Sequence, residues 1–201
     1  MAPPRAPSLR LHAFEPRSTA NGPGVRAVLW VQGCTLGCPG CFNPETHHYG
    51  GDEVPAHEIF SRILALGDPV EGVTVSGGEP LQQRRAVLHL LERVRVETPL
   101  STVLFTGYRW SEVARMREAA ALRGCVDVLI AGRYEQDRGL GRGLRGSSNK
   151  TVHLFSQRYT LAELDAVPDA EVMVRADGKV VVTGIDPPVL YPTPGGPCVP
   201  R

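Results

Sequence analysis

Three cysteines, Cys34, Cys38 and Cys41, fall in the run G-C-T-L-G-C-P-G-C-F-N, directly after the apolar stretch 25–33. The spacing C-x3-C-x2-C puts three thiols on one short loop, and the fold must hold that loop at the end of a strand. Three thiolates are one short of the four that normally hold a [4Fe–4S] cluster, one per iron. A cubane bound here keeps one iron with an open coordination position. An open position on a metal is where chemistry happens, as it separates catalytic from structural zinc. The spacing alone leaves a competing reading, because His47 and His48 follow closely and complete a possible Cys3His zinc set. The other two cysteines are distant. Cys125, before an apolar strand, reads as a small buried hydrophobe, and Cys198, in a Pro/Gly-rich tail, as an exposed thiol.

Elements alternate along the chain. Residues 25–33 and 71–75 read as buried strands, and 56–66 and 81–97 as helices with apolar residues at helical spacing. Strands follow at 102–105 and 126–130, with a helix between them that Ser111 is placed to N-cap and that ends near Gly124. Residues 34–55 read as a loop and residues 1–8 as a loose Pro-rich tail. Residues 171–174 and 179–182 flank Ala176-Asp177-Gly178, a hairpin signal. Strands alternating with helices imply βαβ units and a mostly parallel sheet. They are too few for a complete eight-stranded barrel. The expectation is an α/β fold, an incomplete TIM-like β/α barrel with a C-terminal β-hairpin extension. The expected division is a tail over 1–17, a partial-barrel domain over 18–158 and an extension over 159–201.

In parallel α/β folds, ligand sites lie at the C-terminal ends of the strands. Three motifs sit there: the cysteine loop, Ser76-Gly77-Gly78-Glu79-Pro80, and Thr106-Gly107-Tyr108. The paired glycines expose backbone that a ligand can approach, and Pro80 suits the first turn of a helix. By itself, S-G-G-x-P is also an ordinary β–α turn. Gly141-Arg142-Gly143-Leu144-Arg145-Gly146 fits G-x-G-x-x-G, but an extended segment follows it rather than a helix, so it is not a dinucleotide fingerprint. It reads as a mobile Gly-rich loop, made basic by Arg138, Arg142, Arg145 and Lys150.

Together, the cysteine triplet and Gly77-Gly78-Glu79-Pro80 resemble the radical S-adenosylmethionine (SAM) enzymes. Further runs occur in order: N-G-P-G-V-R from Asn21, C-P-G-C-F-N-P-E-T from Cys38, V-T-V-S-G-G-E-P-L from Val73, T-G-Y from Thr106, V-D-V-L-I-A-G-R-Y from Val126 and L-R-G-S-S-N from Leu144. Over roughly residues 12–155 these are similar to the activating proteins of anaerobic ribonucleoside-triphosphate reductase. The resemblance implies that Cys34, Cys38 and Cys41 ligate three irons of a [4Fe–4S] cluster and that SAM chelates the fourth. It places Gly77, Gly78 and the Glu79 backbone on the methionine amino end, and Gly40 and Phe42 against the adenosyl part. Thr106 and Gly107 line the same pocket. No catalytic residue is implied beyond the cluster and SAM. The implied reaction is reductive cleavage of SAM to a 5′-deoxyadenosyl radical, which generates a glycyl radical on a partner, anaerobic ribonucleotide reductase. A flavodoxin- or ferredoxin-type donor would supply the electron.

Composition narrows the alternatives. A net charge of +1 offers no basic field for nucleic acid, and no apolar run is long enough for a membrane span. An odd count of five cysteines, three of them clustered, argues against a disulfide framework and for a reducing compartment, the cytoplasm. One alternative is a radical SAM enzyme acting on a small molecule or peptide. Another is a non-catalytic iron–sulfur carrier or sensor, although a carrier would saturate its irons with four protein ligands.

Overall fold

A computed structural model describes residues 7–185. Cys198 and the rest of the Pro/Gly-rich end lie outside the described residues. In chain order the elements are β1 (Ser8–Ser18), β2 (Arg26–Val31), β3 (Asp52–Pro55), α1 (Ala56–Leu64), β4 (Gly72–Gly77), α2 (Arg84–Glu97) and β5 (Ser101–Thr106). There follow α3 (Trp110–Val113), α4 (Ala119–Cys125), β6 (Val128–Ala131), β7 (Gly139–Arg142), β8 (Arg145–Ser147), β9 (Thr151–Leu154), α5 (Leu161–Asp165), β10 (Ala170–Val174) and β11 (Val180–Gly184).

One seven-stranded sheet carries the fold, in the order β3-β1-β2-β4-β5-β6-β9. The four central strands, β2, β4, β5 and β6, are parallel. Antiparallel pairings close both flanks, β1 with β2 and β3 on one side and β9 with β6 on the other. The architecture is therefore mixed α/β with a parallel centre. Successive side chains of a strand point to opposite faces, and buried parallel strands are apolar on both. Leu104 and Leu129 accordingly face the large core beneath α1 and α2, with Ile59, Phe60, Ile63, Val87 and Leu91. Their neighbours Val103, Val128 and Ile130 face a smaller cluster that Leu144 and Leu164 cover. No helix among the described residues is long and apolar enough to cross a membrane.

Four expectations need correction. Residues 8–17, read as tail, form most of β1, an inner strand of the sheet. Leu9 and Leu11 are buried and alternate with Arg10 and His12, but the register shifts between Leu11 and Ala13, which breaks the period. The loop over 34–55 ends in β3, which pairs with β1. The helix expected from Ser111 to Gly124 is two short helices, α3 and α4. Arg109, not Ser111, is the N-cap, and its N–H donates to the Glu112 carboxylate at 2.6 Å. Val113 of α3, and Leu122 and Cys125 of α4, are the buried residues, too widely spaced for one apolar stripe. The Gly-rich segment is a hairpin, β7–β8, whose turn residues Gly143 and Leu144 both have positive φ, 59° and 63°. Burial of Leu144 anchors that turn.

The C-terminal hairpin takes its expected form. Gly178, at φ 80°, makes the turn, and its N–H donates to the Arg175 carbonyl. The pair β10–β11 docks on the N-terminal part of the chain. The Thr19 N–H and hydroxyl donate to Glu171, Asn21 donates to the Thr183 hydroxyl at 2.9 Å, and Arg175 donates to buried Glu15.

Candidate metal centre

Because β2, β4, β5 and β6 are parallel neighbours, the loops after them leave one edge of the sheet side by side. These loops carry the cysteines, Gly77–Gly78–Glu79, Thr106–Gly107–Tyr108 and Gly132–Arg133.

Backbone and side-chain hydrogen bonds hold the cysteine loop. Gly33 N–H donates to the Thr46 carbonyl and Cys34 N–H to that of His47, while Cys41 N–H closes a turn onto the Cys38 carbonyl at 3.2 Å. Gln32 reaches into the loop and donates to the Glu45 and His48 carbonyls. Gln82, in the short 3-10 turn Pro80–Gln83 that precedes α2, exchanges two hydrogen bonds with Thr35. Cys34, Cys38 and Cys41 are free and partly exposed. Burial pushes the Cys34 and Cys41 thiols up, while the N–H groups of Leu36 and Asn43 respectively hold them down. Ligand thiolates would therefore release protons on binding a metal.

The glycine pair stitches this loop to β4. Gly78 N–H donates to the Val31 carbonyl at 2.7 Å and Glu79 N–H to the Gly33 carbonyl at 2.9 Å. A Cβ on Gly77, whose φ is 100°, would lie 2.5 Å from the Val31 nitrogen; one on Gly78 would strike the Gly33 carbonyl. Here the glycines allow backbone to pack on backbone. Glu79 then ties in β5. Its buried carboxylate accepts from Leu81 N–H at 2.8 Å, the Thr106 hydroxyl at 2.7 Å and Gly107 N–H at 2.7 Å. Burial pushes its pKa up to about 7, against the pull of those three donors. Thr106 and Gly107 thus touch Glu79, and Leu36 of the cysteine loop fills the space beside Gly107.

Gly40 and Phe42 sit on the other side of the loop. The Gln136 side chain occupies the space a Gly40 Cβ would need. Phe42 stands edge-on to Tyr134, with ring centroids 5.1 Å apart, and its ring lies where a Cβ on Gly146 would come within 2.6 Å. The L-R-G-S-S-N segment therefore packs under the cysteine loop. Two clefts of about 400 Å³ lie on the β6–β9 side, and none of Gly40, Phe42, Gly77, Gly78, Glu79, Thr106 or Gly107 lines them.

Among the described residues, no three His, Cys, Asp or Glu side chains converge on a single ion, and His48 faces Gln32 instead. A cluster spreads its thiolates over separate irons and does not require that convergence. Cys125 is buried, its thiol pushed up to about 12 by desolvation. Sequence reasoning missed Gln32, Gln82 and Lys150. The glutamines carry no periodic signal; Lys150 was masked by the basic stretch around it.

The 4Fe-4S single cluster domain family matches residues 20–153. The anaerobic ribonucleoside-triphosphate reductase-activating protein of Salmonella typhi is 34% identical over 155 residues, covering 72% of this chain and 98% of that one. Its counterpart in Vibrio cholerae is 34% identical over 156 residues, covering 74% and 99%. The protein of that name in phage T4 is 31% identical over 144 residues, covering 68% and 88%. A solved structure, QueE from Escherichia coli, aligns with a TM-score of 0.41 and 15% identity over 50% of this chain and 53% of that one, which decides nothing. On the domain match and the near-complete coverage of its relatives, the chain belongs to the family of anaerobic ribonucleoside-triphosphate reductase-activating proteins.

Proposed function

We propose that the protein is a radical SAM activase that generates a glycyl radical on anaerobic ribonucleotide reductase. One observation supports this reading above the others: three free thiols on a single loop, joined by backbone hydrogen bonds to the Gly77–Gly78–Glu79 turn. The donor set suits an iron–sulfur cluster with one iron left for SAM. When bound, the cluster and SAM supply an electron-driven cleavage that yields a 5′-deoxyadenosyl radical able to take hydrogen from a glycine.

The chain's own residues hold and exclude. Cys34, Cys38 and Cys41 would ligate the cluster. The N–H groups of Gly78 and Glu79 are spent on Val31 and Gly33. What the turn offers a ligand is its carbonyl side, which suits the methionine ammonium. Glu79 fixes that turn through its side chain and does not meet the ligand with it. Gly40 and Phe42 border the adenosyl part, and Thr106 and Gly107 close the pocket floor. The open sheet serves as a partial barrel whose mouth admits the partner's glycine loop, over a domain that starts with β1 at Ser8, ahead of the expected boundary at residue 18, and runs to residue 158. A flavodoxin- or ferredoxin-type donor would supply the electron, in a reducing cytoplasm that keeps the thiols free.

The test is anaerobic reconstitution of the full chain with iron and sulfide. Bound iron, an electron paramagnetic resonance (EPR) signal that changes on adding SAM, and 5′-deoxyadenosine after reduction are the expected results. A glycyl radical on the reductase completes the assignment. Cleavage with no such radical would favour a small-molecule or peptide substrate. A cluster that ignores SAM would leave an electron carrier.

A further inference from the structure

Lys150 follows the L-R-G-S-S-N segment, and its side chain turns inward. Its ammonium donates to the Gly132 carbonyl at 2.5 Å. Gly132 closes the loop after β6, and its own N–H donates to the Thr106 carbonyl, whose residue is bound through its hydroxyl to Glu79. On the other side, Lys150 N–H donates to the Ser147 carbonyl, next to the Gly146 that packs against Phe42. The ammonium is thus set between the Glu79 turn and the cysteine loop, and the acidic groups acting on its charge are Cys38, Glu79 and Cys41.

Its partnering is incomplete. An ammonium has three donors. The neighbouring cation Arg133 is neutralised by two hydrogen bonds to Glu112, at 2.5 and 3.1 Å. Lys150 has a neutral carbonyl, and among the described residues no carboxylate lies within ion-pair distance of it. Glu79 is already held by three donors of its own. Lys150 is half-buried, and a charge partly shielded from water costs free energy unless an opposite charge faces it. Desolvation accordingly pushes the Lys150 pKa down, while Cys38, Glu79 and Cys41 pull it up. The protein has placed a cation at the loop edge and left the matching anion to an occupant.

We propose that Lys150 is the counter-charge of the cluster held by Cys34, Cys38 and Cys41, and that it raises the cluster's reduction potential. The inference rests on the cluster reading above. Three thiolates and the cluster sulfides are anionic, and reduction adds one more negative charge. A fixed cation nearby favours the reduced form, since net charge and local hydrogen bonding set such potentials. Lys150 is a positioning residue in this role and takes no part in hydrogen transfer.

The test is an EPR-monitored redox titration of the reconstituted full chain without SAM, in the parent and in Lys150→Met and Lys150→Arg. Lys150→Met should hold the cluster with a potential lowered by about 59 mV or more, a tenfold smaller reduced-to-oxidised ratio at a fixed poise for one electron. Lys150→Arg should recover most of the shift. If Lys150→Met loses iron while Lys150→Arg retains it, the charge requirement is also supported. Equal potentials in all three would overturn the proposal. So would matching shifts in Met and Arg, which indicate packing rather than charge. An unmoved potential with weakened SAM binding would also overturn it, reassigning Lys150 to the methionine carboxylate. Failure of the parent to hold a cluster would instead remove the underlying reading, and is distinguished by the parent's iron content.

Discussion

Glu79 is the residue on which the site turns. Its carboxyl is buried and serves three donors from two loops, so it welds the β4 and β5 turns together. Burial raises its pKa from the ordinary 4.5 to about 7. A carboxyl raised in the folded state favours folding below about pH 4.5, and that contribution is lost as pH climbs through about 7. The loss is about 3 kcal/mol at most, at 1.36 kcal/mol per pKa unit. Urea unfolding of the cluster-free protein should show the midpoint falling across that window, and Glu79→Gln should flatten the profile. A parental midpoint that stays level would contradict it. Gly78 presents a second residue-scale demand. In Gly78→Ala the new methyl lies 2.9 Å from the Gly33 carbonyl carbon and 3.1 Å from its nitrogen, backbone that is slow to yield. The expected cost is about 1–3 kcal/mol, with reduced iron uptake. Gly124→Ala, in α4 with nothing within 4 Å, should gain up to about 1 kcal/mol. Denaturation midpoints of the two variants side by side check both signs.

At the scale of elements, the hairpin β10–β11 depends on a few polar contacts. Among them, Arg175 covers Glu15, whose side chain is 7% exposed while that of Arg175 is 42% exposed. Arg175→Ala should leave a carboxylate poorly solvated and cost about 1–2 kcal/mol, discounted for the partial exposure of the arginine. Limited proteolysis should then cut near the turn at Gly178 sooner than in the parent, and unchanged cleavage would show that other contacts hold the hairpin. This hairpin was readable because Asp177-Gly178 between two β-branched runs is a local signal. The four parallel strands were readable for the same kind of reason, each being a short apolar run closed by glycine or a cap. Strand β1 was not, since a bulge after Leu11 moves its buried residues out of phase and charged residues interleave them. The break between α3 and α4 was hidden too, because alanine-rich sequence favours helix whether or not it packs.

For the molecule as a whole, the positions of the cysteines and of the glycine pair were legible because a parallel sheet sends successive loops to one edge. How those loops are joined was not. The Gln82–Thr35 exchange and the Glu79 clamp link residues distant in sequence, and Lys150 looks like surface charge until β9 folds it inward. The cysteine loop also has a place in the sheet that extends its influence. It runs from β2 to β3, and the strand between those two is β1. The loop is therefore an arch whose feet stand on either side of the chain's first strand. A ligand that fastens the arch fastens both feet and, through linkage, the strand they enclose. Amide hydrogen exchange should report this: protons of β1 and β3 should exchange more slowly in the loaded protein than in the cluster-free one, while those of β9 at the opposite edge change little.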